Sequence, residues 1–314
     1  MNVHSLWSTE AVMNHWTPGD IPSQAGRTAL ITGASSGIGL VTARVLAARG
    51  ARVILAGRDT ARLAQAAALV QEDAPGAETA ILALDLADLS SVRAAARSVA
   101  ADETVDLLFN NAGVMNLPQR RTTRDGFEMT LGTNHLGHFA FDALAWPAVQ
   151  RSRAARVITV SASAARWPAG KLDDLMSERR YRPMGAYAKS KRANVVYTLE
   201  LARRLRAGDS QVEAIALHPG SAMTGLQQHG QGAATLLSPL IRLIMGSPEG
   251  AAWPSLYAAT SPDVGSGDFI EPAGRDQATG TPKPARLPKG ADDPAEGARL
   301  WAESERLTGV TFAP

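Results

Sequence analysis

The segment RTALITGASSGIGL, from Arg27 to Leu40, limits the folds open to this chain more than any other stretch. The apolar run Ala29-Leu30-Ile31 reads as a buried parallel strand, and the chain turns at Gly33. Beyond Gly39, residues 40–49 (LVTARVLAAR) are apolar at helical spacing. Strand, glycine turn and helix in that order make a unit that binds a dinucleotide. Gly33 permits the tight turn, Gly37 lets backbone approach a pyrophosphate, and Gly39 lets the helix pack on the strand. The helix N-terminus then presents unpaired N–H groups to the phosphates. The spacing Gly-x-x-x-Gly-x-Gly differs from Gly-x-Gly-x-x-Gly. The flanking strand and helix, rather than the glycines alone, therefore carry the reading.

Composition narrows the class. The chain has 32 Lys and Arg against 30 Asp and Glu, a balance that argues against a concentrated basic face for nucleic acid. It has no cysteine, which removes disulfides, thiolate metal sites and cysteine nucleophiles. No metal site is expected. Residues 1–24 scatter His4, Glu10, His15 and Asp20 among apolar positions, unlike a signal peptide. The apolar stretch 233–245 holds Pro239 and Arg242 and is too short to span a bilayer. The expectation is a soluble, cytoplasmic protein with no membrane span.

Apolar runs and helical patterns alternate from Arg27 onward. Strands are predicted at 51–56, 79–84, 105–109, 155–161 and 212–217. Helices are predicted at 61–71 with Asp59 as N-cap, at 88–100, at 127–150 and at 185–206. Pro147 would kink or stop the third of these near its end. Past Gly220 the pattern loosens: a helix at 235–245, a last strand at 267–270, a surface loop at 271–293 and a closing helix at 294–307. This alternation predicts an α/β, doubly wound Rossmann fold with a parallel sheet of about seven strands covered on both faces. One domain would span 1–314. Residues 1–25 would be an N-terminal extension, with Trp7, Val12, Met13 and Trp16 on one apolar face. Residues 221–250 would cover the substrate, and 271–314 would form the C-terminal loop and helix.

Tyr187 and Lys191 lie four apart at the start of a helix, so both side chains point into one space. A tyrosine titrates near pH 10 unperturbed, and a neighbouring ammonium together with an oxidised nicotinamide would lower that value. The pair would then act as general acid or base, a contribution of roughly 10²–10⁴-fold. At the end of the second strand, Gly57 stands where an NAD enzyme places Asp or Glu, and Arg58 follows. A guanidinium pairs with a 2′-phosphate that a carboxylate would repel, which selects NADP(H).

Together these motifs resemble the short-chain dehydrogenase/reductase family. The matching residues are 32–39 (TGASSGIG), 110–113 (NNAG), Asn134, the Tyr187/Lys191 pair and Pro219-Gly220. Residues 133–139 (TNHLGHF), 187–194 (YAKSKRAN), 200–205 (ELARRL) and 218–220 (HPG) resemble its retinol dehydrogenase and protochlorophyllide reductase branch, which includes many bacterial oxidoreductases. The resemblance covers about residues 26–259. It implies that Tyr187 is the proton donor or acceptor and that Lys191 lowers its pKa and binds the nicotinamide ribose. Asn134 would hold, through its backbone carbonyl, a water that links Lys191 to solvent. It further implies cofactor contacts from Gly33, Ser35, Ser36, Gly37, Ile38, Gly39, Asp85, Leu86, Asn111, Ala112, Gly113, Pro219, Gly220 and Thr224, beside Arg58. His135, His138 and His218 read as packed histidines.

One expected residue is missing. The family places a substrate-binding Ser just after the fifth strand, and counting back from Tyr187 puts that position on Ala162 within VSASA (160–164). Losing one donor to a developing oxyanion could cost about 3 kcal/mol. Three readings stand: Ser163 takes over, the enzyme is weak or inactive, or the position is an engineered change in a Ser-Ser-Ser segment. Ser161 would face the sheet.

Leu226, Leu236, Leu237, Leu240, Ile241, Leu243 and Ile244 would give segment 221–247 an apolar inner face, with His229 and Gln228 as polar contacts. That implies a hydrophobic ketone, aldehyde or secondary alcohol as substrate, or else a helix that only packs. Protochlorophyllide is disfavoured, since that lineage relies on cysteines near its pigment. The competing class is a cofactor-binding sensor or scaffold without turnover. The resemblance also implies a homo-oligomer paired through helices 127–150 and 185–206, although branch members with an N-terminal extension can be monomers.

Overall fold

The computed structural model describes residues 16–168, 171–220, 247–274 and 279–314. Its centre is an eight-stranded sheet of order β3-β2-β1-β4-β5-β6-β7-β8. β1 (Thr28–Thr32), β2 (Arg52–Gly57), β3 (Thr79–Ala83), β4 (Leu107–Asn110), β5 (Arg156–Val160), β6 (Glu213–Leu217) and β7 (Phe269–Pro272) are parallel. β8 (Pro282–Pro284) returns antiparallel to β7. The inner strands TALIT, RVITV and EAIAL are buried along almost their whole length, as continuous apolar runs are when helices cover both faces.

Helices α1 (Gly37–Ala48), α2 (Thr60–Asp73) and α7 (Pro248–Thr260) bury one face of the sheet. α3 (Leu89–Asp102), α5 (Gly137–Gln150), α6 (Pro183–Ala207) and α8 (Pro294–Thr308) bury the other. Asp59 caps α2 by accepting from the Arg62 N–H at 3.0 Å, as its position predicts. The helix expected at 127–150 begins instead as a short α4 (Met129–Leu131), widens into a π turn over Gly132–Leu136, and continues as α5. Pro147 lies inside it and does not stop it before Gln150. The loop expected at 271–293 contributes the end of β7 and all of β8, which brings the strand count to eight.

The closing helix α8 lies on α6 and α5, and an aromatic cluster joins them. Trp301 stacks on Tyr197 at 5.8 Å and on Phe312 at 5.0 Å, and meets Phe139 edge-on at 5.3 Å. Arg204 lies 4.2 Å over the Trp301 ring. It also pairs, with Arg203, to the buried Glu200. Trp16 packs edge-on against Trp253 and Tyr257 of α7 at 6.4 and 5.4 Å. Trp7, Val12 and Met13 lie outside the described residues, as does the helix expected at 235–245. Among the described residues, no helix is long and apolar enough to cross a membrane.

Candidate active site

Sheet order places β1 beside β4, and β5 and β6 beyond it, so their carboxyl ends form one edge. A cleft of roughly 440 Å³ runs along that edge from the glycine turn to the start of α6. Doubly wound sheets place their ligands at this edge, where the strand order reverses.

The floor of the cleft is built from close backbone approaches. Gly33 has φ +69°, where a side chain would also press to within 2.9 Å of Ala112 Cα. A Cβ on Gly39 would come within 2.6 Å of Asn111 Nδ2 and 2.7 Å of the Gly33 carbonyl. Thr32 then ties β1 to the segment after β4: its Oγ1 accepts from the N–H groups of Asn111 and Ala112, both at 3.0 Å. Asn111 Nδ2 donates to the Thr32 carbonyl at 2.7 Å. The Ser36 side chain makes no capping bond, so the first N–H groups of α1 face the cleft. This cradle, which a single added methyl would fill, fits a pyrophosphate.

At the end of β2, Gly57, Arg58, Asp59 and Arg62 line the cleft, and the Asp59 carboxylate is engaged with its own helix. Asp85 and Leu86 line the adjoining wall, where Asp85 Oδ1 accepts from the Ala87 N–H at 2.9 Å. Ser35, Gly37, Ile38, Gly113, Pro219 and Gly220 also line it. Thr224, Leu226, Gln228, His229 and the other residues expected to cover the substrate lie outside the described residues.

Tyr187, Lys191 and Asn134 come together at the far end. Tyr187 is 9 % exposed, and Lys191 is 3 % exposed with Nζ donating to the Val160 carbonyl at 2.9 Å. Asn134, inside the π turn, accepts from the Val114 N–H at 2.7 Å and donates to the Val114 carbonyl at 2.9 Å. It also donates to Ser190 Oγ at 2.9 Å, and Ser190 donates to the Tyr187 carbonyl at 2.8 Å. The Asn134 backbone carbonyl, expected to hold a water, faces His138 Nδ1 at 3.1 Å.

In the protein alone, burial governs the electrostatics of the pair. Burial pushes the Tyr187 phenol up to about 12 and pulls the Lys191 ammonium down to about 8. Lys191 Nζ lies 5.9 Å from the Tyr187 ring centre, and desolvation of the phenol outweighs its attraction in the protein alone. The phenol is therefore held neutral, as a proton donor, unless a further positive charge enters.

The segment after β5 separates its three candidates. Ser161 Oγ donates to the Lys191 carbonyl at 2.7 Å and so is buried and committed. Ala162, half-buried, packs with Tyr187, Met115 and Met184. Ser163 opens a 3₁₀ turn (Ser163–Arg166), is exposed, and lines the cleft. Beside them Met115, Met129, Met184 and Trp167, the last 44 % exposed, make this end of the cleft apolar. Sequence reasoning missed these four; only Met184, three residues before Tyr187 on the same helix, carried a spacing signal.

The histidines divide. His135 Nε2 meets Ser304 Oγ of α8 at 2.9 Å, a packing role. His218 Nδ1 accepts from the Gly220 N–H at 3.1 Å and shapes the turn after β6. His138 bonds on both sides of its ring inside the site. No group of three or more His, Cys, Asp or Glu able to hold a metal occurs among the described residues.

The short chain dehydrogenase family model matches residues 27–232. Retinol dehydrogenase 13 of Homo sapiens is 41 % identical over 308 residues, covering 94 % of this chain and 89 % of the relative. Polyprenol dehydrogenase of Mus musculus is 38 % identical over 301 residues, covering 93 % of this chain and 87 % of the relative. A crystal structure of an uncharacterised protein from Mycobacterium paratuberculosis superposes with a TM-score of 0.78 at 40 % identity, covering 95 % of this chain and 99 % of that one. A structure assigned as an NAD(P)-dependent gluconate 5-dehydrogenase from Beutenbergia cavernae, with bound NADP, superposes at 0.60 with 28 % identity. It covers 76 % of this chain and 91 % of that one.

Proposed function

The chain belongs to the short-chain dehydrogenase family, in the branch of the retinol and polyprenol dehydrogenases, and on that footing we propose an NADP(H)-dependent oxidoreductase for hydrophobic carbonyls and alcohols. The observation that carries this reading is the cleft itself. It joins the glycine cradle to a buried Tyr187 and Lys191 and ends among Met115, Met184 and Trp167.

When bound, NADP(H) supplies or takes the hydride and, in its oxidised form, brings the positive charge that favours a Tyr187 phenolate. Arg58 and Arg62, with no carboxylate at Gly57, suit a 2′-phosphate; the α1 N-terminus suits the pyrophosphate. In reduction, the Tyr187 O–H gives its proton to the carbonyl oxygen as the carbon accepts hydride. In oxidation the phenolate takes the proton of the alcohol. Lys191, fixed by the Val160 carbonyl, keeps positive charge near the phenol, and Asn134 braces the wall through Val114 and the helix through Ser190. Ser163 is the hydroxyl left to steady the substrate oxygen, because Ser161 is committed and Ala162 has none. The apolar end holds the remainder of the substrate away from water.

The test is NADPH oxidation with a panel of long-chain and aromatic aldehydes and ketones, with NADH in parallel. Turnover that prefers NADPH and falls roughly 10²–10⁴-fold in Tyr187→Phe supports the proposal. Tight NADPH binding with no turnover on any of them returns the sensor reading, and preference for NADH defeats the cofactor assignment.

A further inference from the structure

His138 stands on α5, one helical turn beyond Asn134, and its imidazole is buried between the two halves of the site. Nδ1 faces the Asn134 backbone carbonyl at 3.1 Å, and Nε2 faces Thr32 Oγ1 at 2.8 Å. A carbonyl only accepts, so Nδ1 carries the hydrogen. Thr32 Oγ1 already accepts from the Asn111 and Ala112 N–H groups, which fills both of its lone pairs. It has only its own hydrogen left to offer, with Nε2 at 2.8 Å and the Phe109 carbonyl at 3.1 Å both in reach, so Nε2, the nearer of the two, stands as an acceptor. An imidazolium would aim a second N–H at an oxygen with no lone pair free. The neutral ring with hydrogen on Nδ1 is the form that suits both the Asn134 carbonyl and the Thr32 hydroxyl, and burial favours the same neutral form.

Resting on the oxidoreductase reading, we propose that His138 is a positioning residue that clamps the cofactor floor to the proton-transfer wall. One ring nitrogen holds the carbonyl of Asn134, whose side chain braces Val114 and, through Ser190, the helix that carries Tyr187. The other fixes the Thr32 hydroxyl, on which Asn111 and Ala112 rest. Residues 106 apart in sequence are thus joined by one hydrogen bond across the cleft floor. A histidine that merely filled space would need neither contact.

Three substitutions separate the two bonds. An asparagine amide falls near the place of Nδ1 and a glutamine amide near that of Nε2. His138→Asn keeps the Asn134 bond and is expected to keep kcat within about twofold while weakening NADPH binding about fivefold. His138→Gln keeps the Thr32 bond and is expected to hold NADPH affinity while kcat falls about tenfold. His138→Phe should lose on both counts. NADPH affinity is read by the fluorescence of the bound cofactor and kcat by steady-state oxidation, each on protein whose thermal unfolding remains cooperative. Equal losses in the Asn and Gln variants, or wild-type behaviour in a folded His138→Phe, overturn the clamp. Absence of turnover in the wild type would defeat the oxidoreductase reading alone, because the difference in NADPH affinity between the Asn and Gln variants would still decide the clamp.

Discussion

The hydroxyl arrangement beside Tyr187 yields a prediction that can be worked through. Position 162 has an extended backbone, φ −155° and ψ 161°, which any residue adopts, so Ala162→Ser adds one oxygen with no backbone strain. That oxygen would extend from a half-buried Cβ that already packs with Tyr187 in the cleft. One donor aimed at a developing oxyanion is worth about 3 kcal/mol, roughly 150-fold at 1.36 kcal/mol per decade. If Ser163 already supplies that bond, Ser163→Ala loses on the order of 10²-fold in kcat/KM, and Ala162→Ser alone gains less than about tenfold. The double variant should return close to the wild type, because each hydroxyl replaces the other; two neighbours that share one role are not additive. The assay is kcat/KM for NADPH-dependent reduction of one hydrophobic aldehyde across the four proteins. A silent Ser163→Ala with a hundredfold gain in Ala162→Ser would show that the natural site lacks the donor. Silence in both would refute the reasoning, since the substrate oxygen would then not be held at this rim.

Other consequences can be checked separately. Arg58→Ala should weaken NADPH binding about 10- to 100-fold and leave NADH almost unchanged, read as the ratio of the two dissociation constants. Burial holds His135 at about 4 and His138 at about 3, both below the unfolded value near 6.5, so the unfolded chain binds more protons. Their stabilisation is therefore lost as pH falls from about 6.5 towards these values. Asp142, bonded to Asn110 and Tyr197 and raised to about 7 by burial, works in the opposite sense: the folded state takes up its proton, and stability is lost as pH rises through that range. Near pH 5 the three groups leave a net difference of about one proton, and Asp142→Asn makes it about two. The variant should make stability fall about twice as steeply with decreasing pH, in denaturant melts between pH 4.5 and 6. An unchanged slope would refute the assignment.

What could be read from the chain in advance followed local chemistry. Gly33, Gly37 and Gly39 between an apolar run and a helical pattern, or Tyr187 and Lys191 one turn apart, act through neighbours in sequence, so their spacing carries the information. β8 could not be read, because Pro-Lys-Pro has no strand propensity and forms only as an edge against β7. The π turn was hidden because the pattern around Asn134 is that of an ordinary helix, and the shift shows only where the Gly137 N–H reaches the Gly132 carbonyl. The burial of Tyr187 could not be read for a tertiary reason: spacing gives the lysine, but how far the phenol is desolvated is set by packing. His138 read as filler because its partner Thr32 is remote in sequence. The pairing of Arg203 and Arg204 with Glu200 could not be weighed in advance, because helical spacing gives no sign that Glu200 is buried.

That closing helix sets an order of assembly. Tyr197 and Phe139 belong to segments made in the middle of the chain, yet the ring that seals them, Trp301, and the Phe312 stacked on it come much later. During synthesis the Rossmann core can form with this aromatic wall still wet, and the wall closes only when the late segment swings back across it. A ribosome stalled before Pro294 would therefore display an open, sticky flank, and the chain's own tail is what protects that flank from strangers.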